Sequence, residues 1–232
     1  MLVLAIDTAT PAVTAGVVEL TDTGVHAIAT HSTVDARAHA ERITPHAQAA
    51  LADAGIAGKE LDAIVVGAGP GPYTGLRVGM VTAAALGHAL DVPVHPVCSL
   101  DGIAHAVDPV PRNGKLLVAT DARRSELYFA VYSGSAGLIR LVGPQVRRPA
   151  EIAPMLAEWS IASAAGDGVL NYADALGLPD DRLTTPAYPT PAGLVTAAAV
   201  ALRTDDEPAE LTPLYLRRPD AEVPTARKRV TR

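Results

Sequence analysis

The sequence has few of the residues that mark several common classes of protein. It contains one cysteine, Cys98, among 232 residues, which excludes an internal disulfide and a CxxC metal or redox motif and favours a reducing cytoplasm. Aromatic residues make up only 3% of the chain, so its core must be built from closely packed Ala, Val, Leu and Ile. No stretch offers the about 20 apolar residues that cross a bilayer, and residues 1–7 lack the basic start of a signal peptide. We therefore expect a cytoplasmic protein with no membrane anchor.

Charge is distributed unevenly along the chain. The formal net charge is −6, but residues 217–232 hold six basic and two acidic side chains, which gives this tail +4 and leaves −10 for the body. A body that acidic is poorly suited to hold nucleic acid alone, because Lys and Arg contacts to phosphates supply most of such affinity. We expect a disordered, solvated tail, with contact to RNA as the alternative.

Hydrophobic patterning predicts alternating strands and helices in the first half. Runs rich in β-branched and aliphatic residues at 2–6, 13–20 and 25–31 predict three consecutive antiparallel strands. The period then becomes helical over 37–54, and Gly55 ends that helix. The first half continues with a strand at 61–67, a glycine-rich loop at 67–75, a helix at 76–90, a strand at 94–97 and a short helix capped by residues 99–102.

The same order of elements returns after a break. Two prolines and an Asn-Gly pair at 108–114 prevent a regular element from crossing that segment. Beyond it come strands at 115–120, 126–132 and 138–146, a helix at 149–159, a strand at 161–165, a further helix, a helix at 194–203 and an apolar segment at 211–217 that can dock on the body. We therefore predict an α/β protein with two related lobes, not one doubly wound sheet. The predicted boundaries are 1–108 for the first lobe, 109–216 for a smaller second lobe and 217–232 for the tail.

Two segments could face a phosphate. Asp7 ends the first predicted strand and is followed by Thr8 and Thr10 in a tight turn, an arrangement typical of the phosphate-facing turn of actin-like and sugar-kinase ATPases. The alternative is that Asp7 only accepts hydrogen bonds within the turn. The loop at 67–75 has glycines, among them Gly69 and Gly71, that let backbone approach a ligand or another lobe. Its spacing matches neither GxGxxG nor GxxxxGK[ST], and its prolines favour a fixed shape.

One face of the predicted helix at 76–90 is almost bare backbone. Gly75, Gly79, Ala83 and Gly87 recur every four residues, and glycine inside a helix costs up to about 1 kcal/mol relative to alanine. Such a stripe calls for a close contact, either with the chain's own sheet or with a partner helix. His39 and His46 lack the spacing that places two imidazoles on one ion, and no serine has the G-x-S-x-G context of a hydrolase nucleophile.

Five stretches together resemble the TsaB family, once called YeaZ. They are LAIDTAT at 4–10, RAHAERITP at 37–45, GPGPYTGLRVG at 69–79, DARRSELY at 121–128 and PLYLR at 213–217. The resemblance implies a two-lobed actin-like (ASKHA) fold, each lobe a mixed sheet with flanking helices. It also implies a non-catalytic partner of a TsaD-like paralogue, the enzyme that transfers threonylcarbamoyl to the adenine 3′ of the anticodon in ANN-decoding tRNAs. A TsaE-like ATPase joins the complex, and tRNA is bound only through it.

Departures from the catalytic paralogue predict that this chain holds neither metal nor cofactor. The paralogue has an H-x-x-x-H metal pair, whereas here His39 is followed four residues later by Ile43, and one imidazole cannot hold the ion. Where a D-x-G phosphate turn is expected, Asp121 is followed by Arg123, whose side chain would fill the space that glycine leaves. The residues we expect to face a vestigial nucleotide site are Asp7, Thr8, Thr10, Gly69, Gly71 and Asp121.

The leading hypothesis is a partner interface on the first-lobe helices. The helices at 37–54 and 76–90 would bundle with those of the TsaD-like paralogue, or with a second copy in a homodimer when the chain is alone. The expected interface residues are His39, Ile43, Gly75, Gly79, Ala83 and Gly87. The competing hypotheses are an autonomous actin-like ATPase or kinase, a metal-dependent glycoprotease-like enzyme, and a free-standing RNA binder.

Overall fold

The structure is a computed structural model that describes residues 1–109, 113–134, 138–204 and 207–217. It contains two β-sheets, each flanked by helices. We refer to each sheet with its own flanking helices as a lobe. Most of the predicted tail lies outside the described residues.

The first sheet has five strands in the order β3-β2-β1-β4-β5. They are β1 (Leu2–Asp7), β2 (Ala12–Leu20), β3 (Val25–Val34), β4 (Ala63–Gly67) and β5 (Val94–Val97). The first three pair antiparallel, as predicted, whereas β4 and β5 continue the sheet in parallel. Because β1 is central and its apolar residues are buried on both faces, its last residue, Asp7, lies in the interior.

Two long helices cover one face of this sheet. α1 (His39–Ala54) and α2 (Tyr73–Leu90) pack on a core that includes Leu4, Ile6 and Val66. α1 ends at Gly55, whose φ of 68° is left-handed, as expected for a glycine that terminates a helix. α2 begins three residues earlier than predicted, because the Tyr-Thr-Gly sequence after the loop completes its first turn.

The short helix after β5 corrects one prediction. α3 (Ser99–Ala104) has Cys98 at its N-cap position, with no side-chain cap. Ser99 is therefore not the cap of this helix, and its hydroxyl is bound elsewhere. Cys98 is buried, as expected for a small apolar residue, and burial raises the pKa of its thiol to about 12.

The second sheet has four strands in the order β8-β7-β6-β9. They are β6 (Lys115–Asp121), β7 (Leu127–Ser133), β8 (Ile139–Arg147) and β9 (Ile161–Ala165). On one face, α4 (Pro149–Glu158), α5 (Asp167–Asn171) and α6 (Ala173–Leu176) enclose a core that contains Phe129 and Ile152. β6 pairs antiparallel with β7 and parallel with β9, so that both sheets are mixed.

The last helix returns to the first lobe. α7 (Pro191–Arg203) begins with a cap, in which the Thr190 hydroxyl accepts from the Gly193 amide at 3.0 Å. It covers the second face of the first sheet through Leu194, Val195 and Ala198. The boundaries drawn from the sequence remain a prediction, but in packing α7 belongs with the first sheet.

The lobes are joined at α3, which packs on the second sheet, and by the segment near the end of the described chain. At the junction, the Asp101 carboxylate on α3 accepts from the Tyr132 hydroxyl at 2.7 Å, and Nη1 of Arg140 donates to its two oxygens at 2.9 and 3.0 Å. The segment at 211–217 docks on the body, as predicted, through the Leu214 amide, which donates to the carbonyl of Ala68 at 2.9 Å. Among the residues that the structure describes, no helix is long and apolar enough to cross a bilayer.

Candidate functional site

The turn after β1 is built around a buried carboxylate. Asp7 is 1% exposed. One of its oxygens accepts from the amide of Ala9 at 2.9 Å, and the other accepts from the hydroxyl of Ser99 at 2.5 Å. Burial raises the pKa of Asp7 to about 6, against the lowering effect of these hydrogen bonds and of nearby His39. The carboxylate is therefore oriented by the protein on both oxygens.

The glycine-rich loop closes over this turn. Gly67 lies directly against the Asp7 carboxylate, and Gly71 lies against the backbone of Ala9, so that a Cβ at either glycine would collide. The loop is fixed from below by Ser99, whose amide donates to the carbonyl of Gly69 at 2.7 Å while its hydroxyl accepts from the Gly69 amide at 3.2 Å. Gly69 has a left-handed φ of 97°, which favours glycine. The loop thus has a fixed shape and occupies the space above Asp7.

The small-residue stripe of α2 faces the chain's own sheet. The Thr8 hydroxyl donates to the carbonyl of Gly75 at 2.7 Å and accepts from the amide of Gly79 at 3.0 Å. Farther along, Gly87 lies against Val94, and Ala83 is fully buried. The stripe was expected to pack either on the chain's own sheet or on a partner helix, and in the structure it packs on the sheet. The expectation that Gly75, Gly79, Ala83 and Gly87 meet a partner helix is corrected, because neighbouring atoms of the same chain cover them.

The structure also corrects the prediction that Ile43, in the first turns of α1, lies at a partner interface. Ile43 is 1% exposed and belongs to the core of the first lobe, so it is not available to a partner. His39 is half-buried, and its Nε2 lies 2.8 Å from the carbonyl oxygen of Thr10, to which it donates. The Thr10 hydroxyl accepts from the amide of Ala12 at 3.3 Å. Within the described ranges, no three His, Cys, Asp or Glu residues are grouped to hold a metal ion.

A cavity of about 350 Å³ lies between the lobes. It is lined by Thr10, Pro11, Ala36, Arg37, His39, Ala40, Pro72, Thr74, Gly75, Val78, Asp121 and Arg123. Of the predicted nucleotide-facing residues, the cavity brings together Thr10 and Asp121. Asp7, Thr8, Gly69 and Gly71 are not among the residues that line it.

The second lobe contributes a strained turn to this cavity. Asp121 accepts from the amide of Arg123 at 2.8 Å, and its own amide donates to the buried Asp167 carboxylate at 3.3 Å. Burial raises the pKa of Asp167 to about 6. Arg123 has a left-handed φ of 59°, and Arg217 holds this turn by donating to the Arg123 carbonyl at 3.2 Å and pairing with Glu126.

Sequence reasoning missed two of the residues that shape this region. Ser99 has no recognisable motif, and only its distance from Asp7 in space shows its role. Asp167 lies in the Gly-Asp-Gly sequence at 166–168, which predicts a turn between a strand and a helix. The signal that could have found Asp167 is its position directly after β9, the parallel neighbour of the strand that ends at Asp121.

The chain is similar to one protein family and to several known bacterial proteins. The family model described as "TsaD: tRNA N6-adenosine threonylcarbamoyltransferase" matches residues 28–224. The chain is 52% identical to uncharacterized protein Rv3421c of Mycobacterium tuberculosis, over 95% of this chain and 93% of that protein. It is 51% identical to uncharacterized protein ML0378 of Mycobacterium leprae, of which it spans 57%. The tRNA threonylcarbamoyladenosine biosynthesis protein TsaB of Bacillus subtilis is 35% identical over 68% of this chain and 64% of its own length.

A solved structure matches nearly the whole fold. YeaZ from Pseudomonas aeruginosa superimposes with a TM-score of 0.74 at 27% identity, and the match covers 93% of this chain and 99% of YeaZ. The predicted two-lobed actin-like (ASKHA) fold, with a mixed sheet and flanking helices in each lobe, is confirmed.

Proposed function

Because the chain belongs to the TsaD family and, within it, to the TsaB (YeaZ) group, we propose that it is a non-catalytic subunit in threonylcarbamoyladenosine biosynthesis. Its partner is a TsaD-like paralogue, which transfers threonylcarbamoyl to the adenine 3′ of the anticodon in ANN-decoding tRNAs. A TsaE-like ATPase joins the two, and the chain meets tRNA only within the complex. The names of the TsaB relatives support the biosynthetic process, and the site supports the non-catalytic role.

The observation that carries the proposal is the engagement of Asp7. An actin-like ATPase needs this carboxylate to orient a metal-bound water, and Mg²⁺ is held through accessible oxygen ligands. Here both carboxylate oxygens accept hydrogen bonds from the protein, and the side chain is 1% exposed. Gly71 packs on the next residues of the same turn. A cation and a triphosphate would have to displace the loop before they could reach the acid.

The partner surface that we propose is the outer face of α1 and α2, opposite the buried stripe. On α2 this face presents Tyr73, which is 50% exposed, and Val81, which is 66% exposed. Exposed Arg77 lies between them over the Tyr73 ring, whereas Ala84 and Ala85 are exposed beyond Val81. The outer surface from Val81 to Ala85 is therefore apolar and shallow. A helix of the paralogue can approach such a surface closely. The same face would mediate a homodimer of the isolated chain.

Reconstitution with purified proteins tests the proposal. The chain, the TsaD-like paralogue and the TsaE-like ATPase are assayed alone and together for threonylcarbamoyladenosine formation on an ANN-decoding tRNA. We expect no product from the chain alone, and product from the mixture that falls to background when the chain is omitted. Equal product with and without the chain would reject the proposal.

A further inference from the structure

The segment at 211–217, which we call the strap, crosses from the first lobe to the second. Leu211 packs against the core of the first lobe. Leu214 packs against the apolar cluster between α3 and the second sheet, and its amide donates to the carbonyl of Ala68. Two apolar side chains and one backbone hydrogen bond therefore set the path of the strap over both lobes.

Tyr215 of the strap lies on the outer surface of α2. Its ring stacks on the ring of Tyr73, with 5.1 Å between the two centroids. The guanidinium of Arg77 lies 4.1 Å from the centroid of the Tyr73 ring, and its Nε donates to the Tyr215 hydroxyl at 3.1 Å. All three side chains are exposed, and such contacts are individually weak at exposed sites. A molecule that packs on Tyr73 can therefore displace Tyr215.

Arg217 of the strap holds a turn of the second lobe in a left-handed conformation. Three consecutive residues between β6 and β7, Arg123, Arg124 and Ser125, have φ values of 59°, 57° and 55°. None of them is glycine, and the left-handed region reduces the population of other L-residues at least about fivefold. Arg217 donates to the carbonyl of Arg123 at 3.2 Å and pairs with the carboxylate of Glu126. The strap therefore adds contacts that favour a strained backbone.

We propose that the strap couples the exposed surface of α2 around Tyr73 to the conformation of this turn. Displacement of Tyr215 from Tyr73 frees Arg217, and the turn then relaxes from its left-handed conformation. Tyr215 and Arg217 are two residues apart, which spans at most about 7 Å, so one side chain cannot move far without the other. The turn and the strap thus form a two-state element that a molecule bound to α2 can bias. The coupling lies within the isolated chain and does not depend on the proposed function.

Hydrogen exchange of the full chain, measured by NMR, tests the coupling from α2 to the turn. The readouts are the amides of Ala122, Arg123 and Glu126, each of which donates a hydrogen bond within the turn. Tyr73→Ala removes the ring on which Tyr215 stacks, although it lies in the first lobe. We expect it to speed exchange of these amides at least about fivefold, because the strained turn is no longer held.

Two further variants complete this arm. Arg217→Ala removes the direct contact with the turn, and we expect it to speed exchange of the same amides. Val81→Ala, at an exposed residue of α2, is the control and should leave them unchanged. Thermal unfolding of every variant confirms that it is folded.

Relief of strain in the turn provides the reverse test, because a coupling free energy acts in both directions. Ser125→Gly keeps the left-handed conformation without its steric cost, whereas Ser125→Ala keeps that cost and is the matched control. With less strain to release, opening of the strap becomes less favourable. We expect Ser125→Gly to slow exchange of the Leu214 amide about fivefold and Ser125→Ala to leave it unchanged.

Three results would each overturn the proposal. Unchanged turn amides in both Tyr73→Ala and Arg217→Ala would show that the hairpin alone holds the turn, through the Asp121 carboxylate that accepts from the Arg123 amide. Faster exchange in Arg217→Ala but not in Tyr73→Ala would show that α2 has no influence on the turn. Equal exchange of the Leu214 amide in Ser125→Gly and Ser125→Ala would show that strain in the turn does not reach the strap.

Discussion

The hydroxyl of Ser99 donates to the carboxylate of Asp7 at 2.5 Å, across 92 residues of sequence. The same hydroxyl accepts from the amide of Gly69, so one side chain joins the end of β1, the glycine-rich loop and the start of α3. This contact holds the loop over the turn and keeps Asp7 from the cavity.

Removal of the Ser99 hydroxyl should destabilise the first lobe. Ser99→Ala leaves one oxygen of buried Asp7 and the amide of Gly69 without their partner, and each buried group left unpaired costs about 1–3 kcal/mol. We expect a decrease of about 2–4 kcal/mol in the free energy of unfolding, measured by urea denaturation. Ser125→Ala, in the second lobe, serves as the control. A loss below about 0.5 kcal/mol would contradict the role assigned to Ser99.

The raised pKa of Asp7 predicts a pH dependence of stability. Burial raises this pKa from 3.8 to about 6, so between these values native Asp7 holds a proton that the unfolded chain has released. Stability should therefore fall as the pH rises through that window, by up to about 3 kcal/mol from this group. Asp167 titrates in the same window, so a variant is needed to isolate Asp7.

Comparison of variants at two pH values isolates the contribution of Asp7. The free energy of unfolding is measured at pH 4.5 and pH 7.5 for the natural chain, for Asp7→Asn and for Asp22→Asn, an exposed control. We expect Asp7→Asn to lose part of the decrease between the two pH values, and Asp22→Asn to keep it. The same decrease in all three proteins would show that Asp7 has an ordinary pKa.

The close contact between α2 and Thr8 predicts an unusual response to alanine. On an exposed helix, glycine to alanine stabilises by up to about 1 kcal/mol. In Gly79→Ala, the new Cβ would collide with the Thr8 hydroxyl, and we expect a net loss of about 1–3 kcal/mol. Ala85→Gly, on the exposed face, should lose only the intrinsic helix preference. A higher urea midpoint for Gly79→Ala would mean that the stripe does not pack on the sheet.

A charge on the outer face of α2 should prevent partner binding without unfolding. Val81→Asp places a carboxylate on the proposed docking surface, where its desolvation would weaken the complex with the TsaD-like paralogue at least about tenfold. Val200→Asp, at a residue of α7 that is 78% exposed, is the matched control. Binding is measured by calorimetry or co-elution. Equal affinity of both variants would place the interface elsewhere.

Local sequence predicted most elements but not all of their partners. The apolar runs of β1–β3 and the helical period of α1 are local features of the sequence, so these elements are predicted within a few residues. The hydrophobic period of α7 also predicts which face of the helix is buried. It does not predict which of the two sheets that face packs against. Its return to the first lobe depends on Pro191 and Leu194 fitting against Gly16 and Gly102, distant contacts that no local pattern contains.

The small-residue stripe on α2 is a second case in which the sequence predicts a close contact but not the surface that makes it. Its spacing correctly indicated a close approach of backbone, because glycine in a helix needs compensation. Which surface makes that approach depends on Thr8, whose hydroxyl lies between Gly75 and Gly79. The position of Asp7 at the end of a strand indicates a functional or turn-stabilising role. The hydrogen bond from Ser99 that engages its carboxylate is evident only in the folded structure.

ATP turnover by the isolated chain tests the central claim most directly. The purified protein is incubated with ATP and Mg²⁺, and phosphate release is compared with that of Asp7→Asn and of buffer. The account predicts no release above buffer for either protein, because the Asp7 carboxylate is engaged by Ser99 and Ala9. Sustained turnover by the natural chain that Asp7→Asn abolishes would contradict it.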